Sequence, residues 1–127
     1  MESGPWRLAD PKRDVVVAGH IEVATTFWGR LLGLMGRRSL AEGEGLFLTT
    51  ASIHMLFMRF PIDALFVGPA DDAGLRTVLA VRHRLPPWRG IVLPVRGAAG
   101  VVELPGGTLL AAGLGRGDRV RLAPSLA

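Results

Sequence analysis

The chain has 127 residues, 49% of them hydrophobic and 20% charged, with no Cys and no Tyr. This length suits one domain with a sizeable core, and the apolar fraction excludes intrinsic disorder; without cysteine there is no disulfide scaffold, zinc–thiolate site, iron–sulfur cluster or thiol nucleophile. The net charge of +4 is carried by residues 64–127, where eight Arg meet four acids, while residues 1–63 are balanced.

In chain order, residues 1–13 read as an irregular N-terminal tail, broken by Pro5 and Pro11 and lacking the apolar run of a targeting leader. Residues 14–127 read as a single β-rich domain. Val15–Val17 begin a strand that Gly19 interrupts and Ile21–Val23 continue. Thr25 or Thr26 then caps a helix to about Arg37, with Phe27, Leu31 and Leu34 on one stripe and Trp28, Leu32 and Met35 beside it. Interior Gly29 and Gly33 cost about 1 kcal/mol each relative to Ala, so this helix is short. From Gly45 onward come short β-rich runs: Leu46–Thr50, Ile53–Met58, Ala64–Val67, Leu75–Val81, Ile91–Val95, Gly100–Leu104 and Asp118–Leu122. Thr108–Ala112 reads as a single helical turn before the last of them. The predicted fold is therefore mainly β, an antiparallel jelly-roll-like sandwich or half-barrel with one short N-terminal helix. The most apolar stretch, Leu46–Val67, is long enough to span a bilayer. It holds His54, Arg59, Pro61 and Asp63, so it reads as buried strands of a cytoplasmic protein with no membrane span.

Most motif-like letters have plain structural readings. Gly113-Leu114-Gly115-Arg116-Gly117 lacks the spacing of a dinucleotide loop, and Arg116-Gly117-Asp118 reads as a turn feeding the final strand. There is no Gly-x-Ser-x-Gly. His20, His54 and His83 lack metal-ligand spacing, so neither a metal nor a cofactor is expected. Arg76, Arg82, Arg84, Arg89 and Arg96 cluster around His83 with no acid between Leu75 and Val102. No recognition motif or aromatic pattern accompanies them, so they read as a solvated face without specific nucleic-acid affinity. Asp63 and Glu103 each lie in an apolar run, where a carboxylate must find partners or shift its pKa. Arg59, across the Phe60-Pro61 bend, is the natural partner of Asp63, although backbone N–H groups at the bend would also serve.

Three ordered segments carry a family resemblance. The first is Ala24-Thr25…Arg30…Gly33-Leu34-Met35-Gly36-Arg37…Leu40 with Gly45-Leu46-Phe47 after it. The second is Ile53-His54…Phe57-Met58-Arg59-Phe60-Pro61-Ile62-Asp63…Phe66, and the third Val102-Glu103-Leu104-Pro105…Gly107…Gly113…Gly117-Asp118…Val120. Together, over Val23 to Leu122, they resemble the uncharacterised bacterial and archaeal family called domain of unknown function 192. The resemblance implies a small β-rich fold with a short helix, and no established reaction or ligand. It marks Gly33, Met35, Met58, Pro61, Gly107, Gly117 and Asp118 as structural motif residues. The chain departs from the family at Leu46, where Met is frequent, and at Met55, where Thr is common; many relatives also carry a secretory leader.

Arg30 and Arg37 are seven residues apart on one helix face, with Gly33 between them, an arrangement suited to clamping an anion. Arg59 and Asp63 flank a proline bend at a strand mouth, where barrels and sandwiches bind ligands. The leading expectation is a small non-enzymatic binding module for a polar or anionic small molecule, carbohydrates included. Its candidate ligand residues are Arg37, His54, Arg59, Asp63, Glu103 and Trp88, the last presented by the stiff loop Pro86-Pro87-Trp88-Arg89. The alternatives are a hydrolase or isomerase using Asp63 or Glu103 as general base, or an interaction domain using the Arg76–Arg96 region.

Overall fold

The β-branched and aromatic runs form strands, and the Gly- and Pro-rich breaks between them form turns. The computed structural model describes residues 6–24, 40–49, 53–54, 60–86, 91–92 and 94–124, the side chains of residues 24, 53, 54, 91 and 92 excepted. In chain order the described elements are β1 (Trp6–Asp10), β2 (Val15–Ala24), β3 (Glu44–Leu48), β4 (Ile53–His54), β5 (Ile62–Val67), β6 (Leu75–Leu85), β7 (Ile91–Val92), β8 (Gly100–Pro105), α1 (Thr108–Ala112) and β9 (Arg119–Pro124). Among the described residues no helix is long and apolar enough to cross a membrane.

Seven strands close into a barrel in the order β1-β2-β3-β8-β5-β6-β9, and β9 returns to pair with β1. β4 and β7 pair separately as a two-stranded sheet. All neighbours are antiparallel except β2 and β3, which run parallel. The fold is mainly β, as the breakers imply, but the sheet closes on itself instead of forming the two packed layers of a sandwich.

Closure depends on residues that the sequence presents as a tail. Trp6–Asp10 is a strand held on one side by β2 and on the other by β9, with Leu8 fully buried. Its five residues offer too little alternation to be recognised before its two partners are known. The helix expected over Thr25–Arg37 lies outside the described residues. The described helix is α1, which has the bounds of the single turn expected there.

Strand alternation sorts the apolar residues onto two faces. Leu8, Ile21, Phe47, Leu65, Val67, Val78, Val102, Leu104, Val120 and Leu122 come from all seven barrel strands and fill the interior, with Leu109 of α1 closing one end. The intervening residues Leu46, Leu48, Ile62, Ala64, Phe66 and Val101 form a second apolar cluster on the outer face with Leu40 and Phe60. This is why β3, β5 and β8 read as near-continuous apolar runs: both of their faces are buried. Gly100 is dictated by that packing, since a Cβ there would lie 2.6 Å from the Leu48 carbonyl oxygen and from the Phe47 ring.

β6 departs from regular pairing twice. Ile62 opposes Leu85 and Ala64 opposes Arg82, so His83 and Arg84 together face the single residue Asp63. Farther along, Phe66 opposes Ala80 and Val67 opposes Val78, leaving Leu79 as an extra residue. Such bulges re-aim side chains and end regular pairing, and they are common beside sites.

Candidate functional site

Asp63 belongs by alternation to the interior set with Leu65 and Val67, at the barrel end that α1 covers, and is fully buried. Its carboxylate accepts three main-chain hydrogen bonds. Arg84 N–H donates to Oδ1 at 2.8 Å, while Gly107 N–H and Leu109 N–H donate to Oδ2 at 3.0 and 2.9 Å. The bulge frees the Arg84 N–H from the ladder, and the start of α1 leaves the Gly107 and Leu109 donors without helical acceptors. Among the described residues all partners of Asp63 are thus backbone N–H groups, drawn from β6 and the β8–α1 turn and not from the proline bend. Arg59 lies outside the described residues.

This carboxylate fixes an unusual arginine. Arg84 has φ +49°, in the left-handed region that bulky residues rarely occupy. Its side chain runs over the Gly106–Gly107 turn, where a Cβ on Gly107 would stand 2.9 Å from Nη2 and one on Gly106 would stand 3.5 Å from Cγ. Gly107 is required twice over, by that contact and by its own φ of +95°. Arg84 thereby lines a cleft of about 550 Å³ with Val15, Val16, Val17, Glu42, Thr108 and Ala112. Val15 and Val16 are 49% and 51% exposed, so the aliphatic wall is open to solvent.

A second cleft, also about 550 Å³, lies along the outer side of β6. Leu79, Ala80, Val81, Pro94 and Val95 form its apolar part, and Arg82, Arg96 and Arg116 supply its charge. Four other arginines among the described residues are occupied. Arg13 pairs with Asp10 at 2.5 Å, Arg119 pairs with Asp71, and Arg121 donates to the Ala73 carbonyl. Arg76 donates to the Gly68 carbonyl and sits 5.2 Å above the Phe47 ring. Burial pushes its guanidinium pKa down. The Arg13 hydrogen bond holds the Asp10 carboxyl below the usual range, and the Leu75 N–H bond, ahead of the other contacts, does the same for Asp71.

The expected site residues do not assemble as one group. Asp63 and Glu103 occupy opposite faces: Glu103 pairs with Leu46 and Ala64 on the outer side and is 3% exposed, whereas Asp63 faces inward. They cannot act as a carboxylate pair. His54 lies on β4, apart from the barrel ladder. Arg37, Arg59 and Trp88, with Gly33, Met35 and Met58, lie outside the described residues. Pro61 is exposed just before β5. Asp118 folds back on its turn, its Oδ2 accepting from Gly115 N–H at 2.9 Å, and Gly117 N–H donates to the Val78 carbonyl. The Arg116-Gly117-Asp118 triplet is thus a barrel turn, but one that delivers Arg116 to the second cleft. Among the described residues no three His, Asp or Glu side chains are grouped to hold a metal.

Comparison with known proteins agrees with this architecture. Residues 9–122 match the family model described as Uncharacterized ACR, COG1430, which is domain of unknown function 192. A UPF0127 protein of Thermococcus sibiricus is 33% identical over 107 residues, covering 80% of this chain and 65% of that protein. The chain thus spans about two-thirds of that relative's length. A crystal structure from Sinorhizobium meliloti 1021, provisionally described as a transcription regulator, superposes with a TM-score of 0.75 over 96% of this chain and 98% of that one. At 23% identity that likeness shows the fold alone. A protein of unknown function from Novosphingobium aromaticivorans superposes with a TM-score of 0.74 at 27% identity, over 92% of this chain and 83% of its own.

Proposed function

The chain belongs to the domain of unknown function 192 family, and on that premise we propose that it is a binding module for a small carboxylate with an aliphatic body, held in the Arg84 cleft. The observation that carries this reading is Arg84 itself. A non-glycine residue in the left-handed region costs about 1–2 kcal/mol, and such strain concentrates where function needs a side chain in one place. Here a buried carboxylate and two glycines over-determine the strained residue, and its guanidinium lies at an open aliphatic cleft. Guanidinium is the natural planar partner of a carboxylate, and the exposed valines supply apolar area for an alkyl or acyl body. Glu42, on the same cleft, opposes a second negative charge and so favours a monoanion. Among the described residues the cleft has no aromatic wall, which supports an aliphatic ligand over a sugar ring.

The general-base reading finds less support. A base must come within hydrogen-bonding reach of its substrate, and Asp63 is wholly buried with both oxygens bonded to the main chain. Its role here is to position Arg84. Titration of the 15N-labelled protein with octanoate tests the proposal. The amides of Val15–Val17, Gly106–Thr108, Ala111 and Ala112 should shift in a saturable manner, and Arg84→Gln should abolish the shifts. Shifts that are absent, or that persist unchanged in Arg84→Gln, would refute the site.

A further inference from the structure

We propose that the outer cleft of β6 is a second, separate anion site, built for a small phosphate-bearing molecule with at least two negative charges. Its three arginines come from three segments. Arg82 lies on β6 between the two bulges, while Arg96 and Arg116 sit at the tips of two turns.

Those turns are built alike. In Val95–Ala98 the Ala98 N–H donates to the Val95 carbonyl at 3.1 Å, and in Gly115–Asp118 the Asp118 N–H donates to the Gly115 carbonyl at 3.1 Å. Each turn has arginine in its second position and a glycine of positive φ in its third, +83° at Gly97 and +93° at Gly117. The Gly115–Asp118 turn is further tied by the Asp118 carboxylate to Gly115 N–H and by Gly117 N–H to Val78. The backbones that carry Arg96 and Arg116 are therefore fixed before any ligand arrives, which lowers the ordering cost of binding.

The charge of this cleft is not neutralised locally. Among the described residues no acid lines it and none of Arg82, Arg96 and Arg116 forms an ion pair; the one hydrogen bond among them runs from Arg82 to the Val81 carbonyl. Asp71 is engaged with Arg119, and Asp118 with its own turn and with Arg13. Three like charges on one cleft repel each other, and a multiply charged anion relieves that repulsion while using the bidentate geometry of guanidinium. A volume of about 550 Å³ lies in the range of small-molecule sites. The apolar side formed by Leu79, Ala80, Pro94 and Val95 would hold the uncharged body of the ligand. The contrast with the Arg84 cleft is chemical: one arginine beside a glutamate there, three arginines and no acid here.

Inorganic pyrophosphate is the probe. Calorimetric titration at low and at physiological salt should show one saturable site. Single changes Arg82→Gln, Arg96→Gln and Arg116→Gln should each weaken it about tenfold, and the triple change should abolish it. All three side chains are exposed, so thermal melting should stay within a few degrees of the parent and confirm that the variants fold. Arg84→Gln should leave pyrophosphate binding unchanged, which separates this site from the carboxylate cleft. The proposal is overturned by the absence of binding at low salt, or by equal binding to the triple variant. It is equally overturned if duplex DNA binds more tightly than pyrophosphate with the same arginine dependence, because the surface would then serve a nucleic acid.

Discussion

Replacing Asp63 by Asn changes one atom and tests how the barrel end is held. The native carboxylate serves Arg84 N–H with one oxygen and the N–H groups of Gly107 and Leu109 with the other. An amide can turn its carbonyl toward one set only, so its NH2 must face a main-chain donor in either orientation. The less damaging orientation keeps Gly107 and Leu109 and sacrifices Arg84. It loses one charge-assisted bond, worth about 1.5–3 kcal/mol, and weakens two others that become neutral. The lower desolvation cost of a neutral group offsets part of this, leaving a net loss of about 3 kcal/mol. With an unfolding entropy of about 2.1 cal/mol/K per residue, the 127-residue chain should lose roughly 11 °C in Tm. Urea unfolding should show a lower midpoint with an unchanged slope. The amide resonances of Arg84, Gly107 and Leu109 should move most, and octanoate affinity should fall with them. A loss below about 1 kcal/mol, or unmoved resonances at those three amides, would refute the account of Asp63 as the anchor of both turns.

Arg84→Gly should leave stability equal or raise it by up to about 1 kcal/mol, because relief of left-handed strain outweighs the entropy that glycine adds to the unfolded chain. Denaturant titration checks this, and octanoate binding should be lost in the same variant. Gly100→Ala should destabilise by about 1–3 kcal/mol, since the new Cβ meets a carbonyl oxygen that cannot step aside. Gly19→Ala has nothing within 4 Å of its new carbon and should be neutral or slightly stabilising in the same assay. Asp10 and Asp71 have carboxyl pKa values depressed below the ordinary 3.8. Their stabilisation is therefore fully present above that value and is lost as pH falls through the depressed folded values. Acid titration of the folded state should show the loss below about pH 4, and Asp10→Asn should flatten that limb.

β3, β5 and β8 were legible because both of their faces are apolar, and Gly68 and Pro105 close the last two. The α1 turn was legible for a similar reason, lying between Gly107 and Gly113. β1 was not, because the five-residue segment before the Pro11–Asp14 turn offers little alternation, and its second partner, β9, stands at the far end of the chain. Asp63 was recognised as a buried carboxylate from its apolar neighbours. Its donors were not recognisable, since they come from positions 21, 44 and 46 residues away. The left-handed backbone of Arg84 has no signature in the residue itself. For the outer cleft the letters offered a partial signal in the pairs Arg96-Gly97 and Arg116-Gly117, but only the fold brings both to Arg82.

The two clefts have a common origin in β6. In a regular strand, residues two and four apart share a face, so Arg82 would point inward with Val78. The extra residue at Leu79 breaks that parity, keeping Val78 in the barrel interior and turning Ala80 and Arg82 to the outer side. The extra residue at His83–Arg84 has a different effect, setting both residues against Asp63. An Arg84 side chain turned inward beside Asp63 would place its guanidinium in the barrel against the carboxylate. Such a buried ion pair carries a desolvation cost that its attraction does not reliably recover. With the bulge, Asp63 receives only the main-chain N–H of Arg84, and the guanidinium leaves for the surface. The first insertion thus turns Arg82 to the outer cleft, and the second gives the Arg84 N–H to Asp63 while the Arg84 side chain lines the other cleft. The barrel keeps an apolar core on a strand that carries Arg76, Arg82 and Arg84, and the one arginine with no bulge to divert it, Arg76, is the one that sits over Phe47.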